Sequence, residues 1–235
     1  MNNLFFKIKL LKRISILKSL YWSFKLFPWK LAIRIPLFVY PNTVIKVSGI
    51  FIPPSTTHVV DIHTGMIRIG QPLPWLIDKK CSTYLDIAGN LTFKGNTIIG
   101  HGSRILVGRS GKLTIGEHFS VSGCLRICCE YNIVIGCDCM FSWDVSLLDT
   151  DYHPIVNQDG VVINQPRPIS IGNHVWIGCN NTILKGVSIA DNIVVSSGNT
   201  IKTSLRQSNS IYGKRSDNIT LLKESVTWSN QIFDR

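Results

Sequence analysis

Acidic side chains are scarce in this chain. Its 235 residues carry 14 Asp and Glu against 25 Lys and Arg, a formal net charge of +11. That balance favours phosphates, anionic polymers or membrane surfaces as partners. No RNA- or DNA-binding motif accompanies it, which argues against nucleic acid. Long apolar runs are also missing. No 18-residue apolar span exists, so no transmembrane helix is expected. The first twenty residues have lysines mixed through their apolar positions, unlike the uninterrupted core of a secretory leader. Cysteine is present without a framework. Cys81, Cys124, Cys128, Cys129, Cys137, Cys139 and Cys179 are odd in number. They are spaced neither as a zinc knuckle nor as a disulfide set. They read as small buried hydrophobes in a reducing cytoplasm.

What the chain does have is a period of six. Ile171, Ile177, Ile183, Ile189, Val195 and Ile201 each open a hexad, and Gly172, Gly178, Ala190 and Ser196 follow four of them. At 3.6 residues per turn, a helix would carry such a position off any one face. The recurring Gly and Asn exclude a long flat strand. A coil of short strands, three per circuit with aliphatic side chains stacked inside, satisfies the spacing. Upstream the same phase restarts at Ile87, Phe93, Ile99 and Ile105, then at Ile115, Val121 and Ile127, then at Ile135, Phe141 and Leu147. The sequence predicts an all-β solenoid, in which each coil buries its interior on its neighbours.

Three regions follow. Residues 1–50 form an N-terminal capping extension, 51–206 the β-helix domain, and 207–235 a C-terminal cap with a strand or short helix. Within the first region, Leu4, Phe5, Ile8, Leu10, Leu11, Ile14 and Leu17 make an apolar stripe opposite Lys9, Lys12 and Arg13. This predicts an amphipathic basic helix that lies on an anionic membrane or packs as a cap. Ile33–Pro36 and Val44–Val47 read as short strands. Small insertions at 108–111 and 130–133 and one long insertion at 149–168 interrupt the hexads.

The long insertion opens Asp149-Thr-Asp151-Tyr-His153-Pro154. A loop of that length on a regular scaffold is a place for function. A histidine with nearby carboxylates can take a proton from a hydroxyl, and a partner on its other nitrogen would fix its tautomer.

The stretch Asp149 to Pro154, with Pro168-Ile-Ser-Ile-Gly-Asn-His-Val-Trp-Ile-Gly178 and Ile183-Leu-Lys-Gly-Val187, resembles the hexapeptide-repeat acyltransferases. It is most similar to the sugar and surface-polysaccharide O-acetyltransferases of the maltose and galactoside acetyltransferase type. The resemblance is specific over about 133–205 and loose over 87–130. It implies a left-handed parallel β-helix, a homotrimer with clefts between subunits, and acetyl-CoA as co-substrate without a metal. It implies His153 as the general base that activates a hydroxyl of a sugar or lipid-linked glycan, and Asp149 as an acidic residue holding the acceptor. Ser142, Trp143, Asp144 and Asp151 would line the acceptor side. Trp176, Cys179, Ser197 and Gly198 would lie along the thioester and pantetheine arm. Lys202, Lys214 and Arg215 would meet the CoA phosphates, where a cation gains charge-assisted bonds. The sequence departs from the family where Gly213-Lys-Arg-Ser-Asp217 stands for the usual Gly-x-Pro-Ala-Lys.

Three other readings compete. A zinc hydratase of the γ-carbonic-anhydrase type needs three converging histidines, for which His58 and His63 offer two. A noncatalytic β-helix that binds polysaccharide or membrane suits the charge but leaves the His153 loop unexplained. Serine acetyltransferases share the fold but carry a large helical N-terminal domain. An enzyme of the preferred class would work in the cytoplasm, at the inner face of the membrane when its acceptor is lipid-linked.

Overall fold

Every hexad-opening residue named above is buried, from Ile87 to Ile201, none more than 3% exposed. The chain therefore stacks as its period demands. The computed structural model describes residues 14–54, 62–72, 80–215 and 218–229. Their strands take three sheets in turn. The first sheet holds β1 (Leu37–Val39), β4 (Ile67–Gln71), β7 (Thr97–Gly100), β10 (Phe119–Val121), β13 (Met140–Phe141), β16 (Trp176–Ile177), β19 (Ile193–Val195), β21 (Ser210–Arg215) and β22 (Asn218–Glu224). The second holds β2 (Thr43–Val47), β5 (Thr83–Ile87), β8 (Arg104–Val107), β11 (Arg126–Cys129), β14 (Ser146–Leu148), β17 (Thr182–Leu184) and β20 (Thr200–Ile201). The third holds β3 (Ile50–Ile52), β6 (Asn90–Phe93), β9 (Lys112–Ile115), β12 (Asn132–Ile135), β15 (Ile169–Ile171) and β18 (Ser188–Ile189).

Apart from the last strand, β22, neighbouring strands within a sheet are parallel, with registers such as Ile127↔Ile105 and Ile127↔Leu147. The hexad side chains thus form straight internal columns. Corners between sheets are tight, and they explain the recurring polar residues. Cys124, Asp144 and Asn180 take positive φ between the first and second sheets. His118, Asp138, His174 and Asn192 do so between the third and first. Asn and Asp tolerate this left-handed backbone better than branched residues do.

The coil reaches beyond 51–206. β1 and β2 pair in parallel with β4 and β5, and β21 pairs in parallel with β19. Val44–Val47 lies in β2. Ile33–Pro36 is not a strand. A short helix α2 (Trp29–Ala32) runs on in helical turns, with Ile33 N–H bonded to Trp29 O and Ile35 N–H to Ala32 O. The strand begins after Pro36. A longer helix α1 (Ile16–Leu26) precedes it, and its Trp22 and Leu26 pack against the open end of the coil's core. Of the predicted amphipathic stripe, Leu4 to Leu11 and the opposing Lys9, Lys12 and Arg13 fall outside the described residues, and Leu17 is exposed on α1. At the other end, β22 turns back antiparallel on β21, a strand cap.

Candidate functional site

Two corners of the coil collect the chemistry. The corner from the first to the second sheet carries Ser142–Trp143–Asp144 after β13, Cys179–Asn180–Asn181 after β16, and Ser196–Ser197–Gly198–Asn199 after β19. Stacking puts these turns above one another. Cys179 Sγ lies 3.2 Å from Ser197 Oγ, and Trp176 Nε1 donates to Ser142 Oγ at 3.5 Å. A Cβ on Gly178 would sit 2.9 Å from the Ser197 amide nitrogen, so a side chain there would collide with the next coil. Gly198 has φ +81° and open space where a side chain would point. The result is a row of small-residue turns with Ser197 and Gly198 exposed, a candidate groove for a ligand. Lys214 and Arg215 close β21 above it, where Gly213 approaches Ser196.

Two buried asparagines hold this groove. Asn181 Nδ2 donates to Gly178 O and to Ser196 O, both at 2.8 Å. Its Oδ1 accepts the Asn199 amide at 2.9 Å. Replacing Asn181 with alanine would strand these groups inside the protein. Each buried group left without a partner costs about 1–3 kcal/mol. Asn181→Ala should therefore lower the unfolding free energy by an amount of that order, seen as a lower denaturant midpoint, and a midpoint unchanged from wild type would show that the turn does not depend on it.

The second corner, between the second and third sheets, carries the insertion. It leaves after Leu148 and returns at Ile169, as the sequence predicts. Inside it, Val156 bridges Val162 in antiparallel fashion. Thr150, Tyr152, His153, Pro154, Val162, Asn164 and Pro166 surround a shallow pocket of about 220 Å³. Tyr152 takes φ +63° just before His153. That conformation costs an aromatic residue about 1–2 kcal/mol. The His153 side chain is exposed at the rim. Lys202 also belongs to this corner, because it follows β20 and precedes the bridge from Leu205 to Ile189.

The carboxylates near His153 are committed elsewhere. Asp149 is fully buried, and its two oxygens accept the Glu130 and Tyr131 amides at 2.8 and 2.9 Å. In the single chain it braces the base of the loop on the coil below and does not face an acceptor. Asp151 accepts Lys185 Nζ at 2.5 Å and Asn164 Nδ2 at 2.9 Å. The Lys185 hydrogen bond, followed by that of Asn164, holds the Asp151 carboxyl below its usual pKa. The loop tether is therefore present above the ordinary carboxylate range and is lost as pH falls through the lowered value. Lys185 Nζ also donates to Asn164 O at 2.8 Å, tying both arms of the insertion to β17. Lys185→Met should hasten proteolytic cleavage within 155–163 at neutral pH, and a cleavage rate equal to wild type would refute the tether. Asp144 is engaged as well, 3.4 Å from Arg126.

Sequence reasoning missed the C-terminal tail. Trp228 stacks on the His174 ring at 4.3 Å and an interplanar angle of 6°, and its Nε1 donates to His174 O at 2.8 Å. The Trp176 ring is 6.0 Å away. Thr227 Oγ1 pins the same tail to Asn192 Oδ1 at 2.9 Å. Trp228 lies outside the repeat, so no period marks it; only its identity as an aromatic near the chain end is readable. The thiols of Cys129 and Cys139 are pushed up to about 12 by burial, which makes them inert packing groups. His63 bonds Asn96 Oδ1 at 2.9 Å and His58 lies outside the described residues. Among the described residues no cluster of three or more His, Cys, Asp or Glu is placed to hold a metal.

No family model matches the chain. Individual proteins do. The chain is 36% identical over 104 residues to a polysialic acid O-acetyltransferase of Escherichia coli O1:K1, covering 44% of this chain and 32% of that protein. It is 34% identical over 107 residues to the polysialic acid O-acetyltransferase of Neisseria meningitidis, covering 45% and 39%. A galactoside O-acetyltransferase of Escherichia coli K12 matches at 34% over 90 residues, covering 37% and 43%. The crystal structure of the polysialic acid O-acetyltransferase OatWY superposes with a TM-score of 0.50 at 23% identity, over 84% of this chain and 79% of that one. The chain resembles the polysaccharide O-acetyltransferases and has their fold. That fold is the left-handed parallel β-helix of hexapeptide repeats. The matched stretch spans less than half the length of these curated relatives.

Proposed function

We propose that the protein is an acetyl-CoA-dependent O-acetyltransferase acting on a hydroxyl of a sugar or surface-polysaccharide precursor. The observation that carries this reading is the pairing of the His153 loop with a small-residue groove on one solenoid, in a chain similar to sugar O-acetyltransferases.

The chemistry follows from the residues. His153 takes the hydroxyl proton as the acceptor oxygen attacks the thioester carbonyl carbon. The new C–O bond forms, the C–S bond breaks, and the imidazolium returns the proton to the departing thiolate. The backbone N–H at Cys179 suits a developing oxyanion, since no side chain is needed for that; the Gly198 N–H already donates to Cys179 O at 2.9 Å and holds the turn. The groove from Gly178 to Gly198 would seat the pantetheine arm, with Lys214 and Arg215 above it for phosphate. Trp176, and Trp228 beside it, offer flat apolar surface to the sugar or the donor.

On one chain the loop and the groove stand at opposite edges of the second sheet. A complete site therefore requires the groove corner of one subunit to face the His153 corner of another. A cyclic homotrimer achieves this three times over. Such a neighbour would also supply what Asp149 and Asp151 do not, a partner that orients the His153 ring. Lys202, at the loop corner, would reach the phosphates of a donor held by that neighbour. We place the enzyme in the cytoplasm, working at the inner membrane face on lipid-linked glycans.

Incubation with acetyl-CoA and a panel of nucleotide sugars, oligosaccharides and lipid-linked glycans tests the reading. Thiol release that depends on one acceptor class is the expected result. Acceptor binding without any thiol release would instead make the protein a noncatalytic glycan-binding solenoid.

A further inference from the structure

Helix α1 packs Trp22 and Leu26 against the coil and turns a second apolar face outward. Its fully buried residues are two serines, Ser19 and Ser23, 1% and 0% exposed. Ser19 Oγ accepts the Val39 amide at 2.9 Å, and Ser23 Oγ accepts the Leu37 amide at 3.3 Å. Lys18 Nζ donates to Thr43 O at 2.9 Å, which fixes the helix against the coil's first strands. The opposite side exposes Ile16, Leu17, Tyr21 and Phe24, with Leu17 81% exposed. At 3.6 residues per turn, these and Leu20 fall within about 140° of the helix circumference. Trp29 and Ile33 extend the surface, 68% and 61% exposed. So many large exposed apolar side chains within 18 residues at the end of a coil call for an occupant.

We propose that this surface docks on an anionic lipid bilayer. The charges around it choose the bilayer over a protein partner. Lys25 Nζ stands 4.9 Å from the Trp22 ring and 5.4 Å from the Tyr21 ring, and Lys30 Nζ 5.8 Å from the Trp29 ring. Ammonium groups set beside Trp and Tyr match the headgroup level of a membrane, where such rings also concentrate. Lysine is depleted in protein–protein interfaces. The preceding sequence repeats the pattern, with Lys7, Lys9, Lys12 and Arg13 among Phe and Leu. Among the described residues no helix is long and apolar enough to cross a membrane, so the helix would lie on the surface. In a cyclic trimer the three copies would face the same side of the assembly, and their weak contacts would multiply. The benefit of such docking rests on the reading above that the acceptor is lipid-linked; the docking itself does not.

The test is flotation of the full-length protein with phosphatidylcholine vesicles, with and without phosphatidylserine. Binding to the anionic vesicles at low salt and partial release at high salt are expected. Lys25→Ala with Lys30→Ala should weaken it about 30-fold, from roughly 1 kcal/mol per basic residue at the surface. Leu17→Glu with Phe24→Glu and Trp29→Glu should abolish it, with thermal melting and transfer to a soluble acceptor unchanged. Brominated acyl chains should quench tryptophan emission, and Trp29→Phe should remove most of that quenching, a readout independent of the folding of the triple variant. Failure of the wild type to float, flotation of the triple variant, or quenching that survives Trp29→Phe would overturn the proposal. So would a triple variant that breaks the oligomer in light scattering, which would make the face an interface between copies. If the protein floats but transfers acetyl to no acceptor, the functional reading fails and the docking stands.

Discussion

Replacing His153 with alanine is expected to cut acetyl transfer roughly 10²- to 10⁴-fold, the range for loss of a positioned general base. The loss should fall on kcat and leave acetyl-CoA binding intact. This division follows from the architecture. His153 sits on the insertion between the second and third sheets, and the small-residue groove sits between the first and second. Removing an exposed imidazole from the loop disturbs nothing in the groove. The loop itself should also survive, because its anchors are Asp149 on the Glu130 and Tyr131 amides and Lys185 on Asp151 and Asn164. Isothermal titration with CoA and steady-state kinetics measure the two halves. An alanine variant with near wild-type turnover would remove His153 from the role.

How much of this could be read beforehand depends on which interactions repeat. The hexad columns are periodic, so Ile87 through Ile201 were legible as an interior, and the insertion at 149–168 was legible as the place where the period stops. The first circuit was legible only in part. Val44–Val47 reads as a strand and lies in β2, but Pro36, Pro41 and Gly49 interrupt the spacing, and the segment reads as an irregular capping turn. The role of Asp149 was hidden for another reason. A carboxylate beside a histidine looks the same in sequence whether it faces a substrate or the backbone of the coil below. Only the stacking of 149 over 130–131 decides it. The helix was legible as amphipathic, and the choice between packing and exposure was left open; Ser19 and Ser23 take the edge amides of β1, and Ile16, Leu17, Tyr21 and Phe24 are left outside. Trp228 reaches His174 across 54 positions, a distance no local pattern encodes.

Two inactive variants should restore one another. Take His153→Ala, which spoils the loop corner, and Gly198→Trp, which fills the open side of the groove where nothing lies within 4 Å of a Cβ. The substitution at Gly198 carries some strain from φ +81°, so its own trimer is first checked for assembly. Assembled alone as the proposed homotrimer, each variant should be nearly inactive. If one site used the loop and the groove of the same chain, mixing would never bring two intact halves together. If each site joins the loop of one subunit to the groove of the next, unfolding and refolding a 1:1 mixture changes the outcome. A site then works when the loop comes from a Gly198→Trp chain and the groove from a His153→Ala chain. Random assembly gives each condition a probability of one half, so about a quarter of all sites regain both parts in a cyclic trimer. Activity should climb from near zero to about a quarter of wild type, and it should vary with the mixing ratio as the product of the two fractions. Refolding each variant alone controls for damage. Flat, near-zero activity at every ratio, with mixed trimers demonstrated by native mass spectrometry, would place the whole site within one chain. The loop would then have to swing across the second sheet to reach the groove, and the Lys185–Asp151 tether would have to break for it to do so.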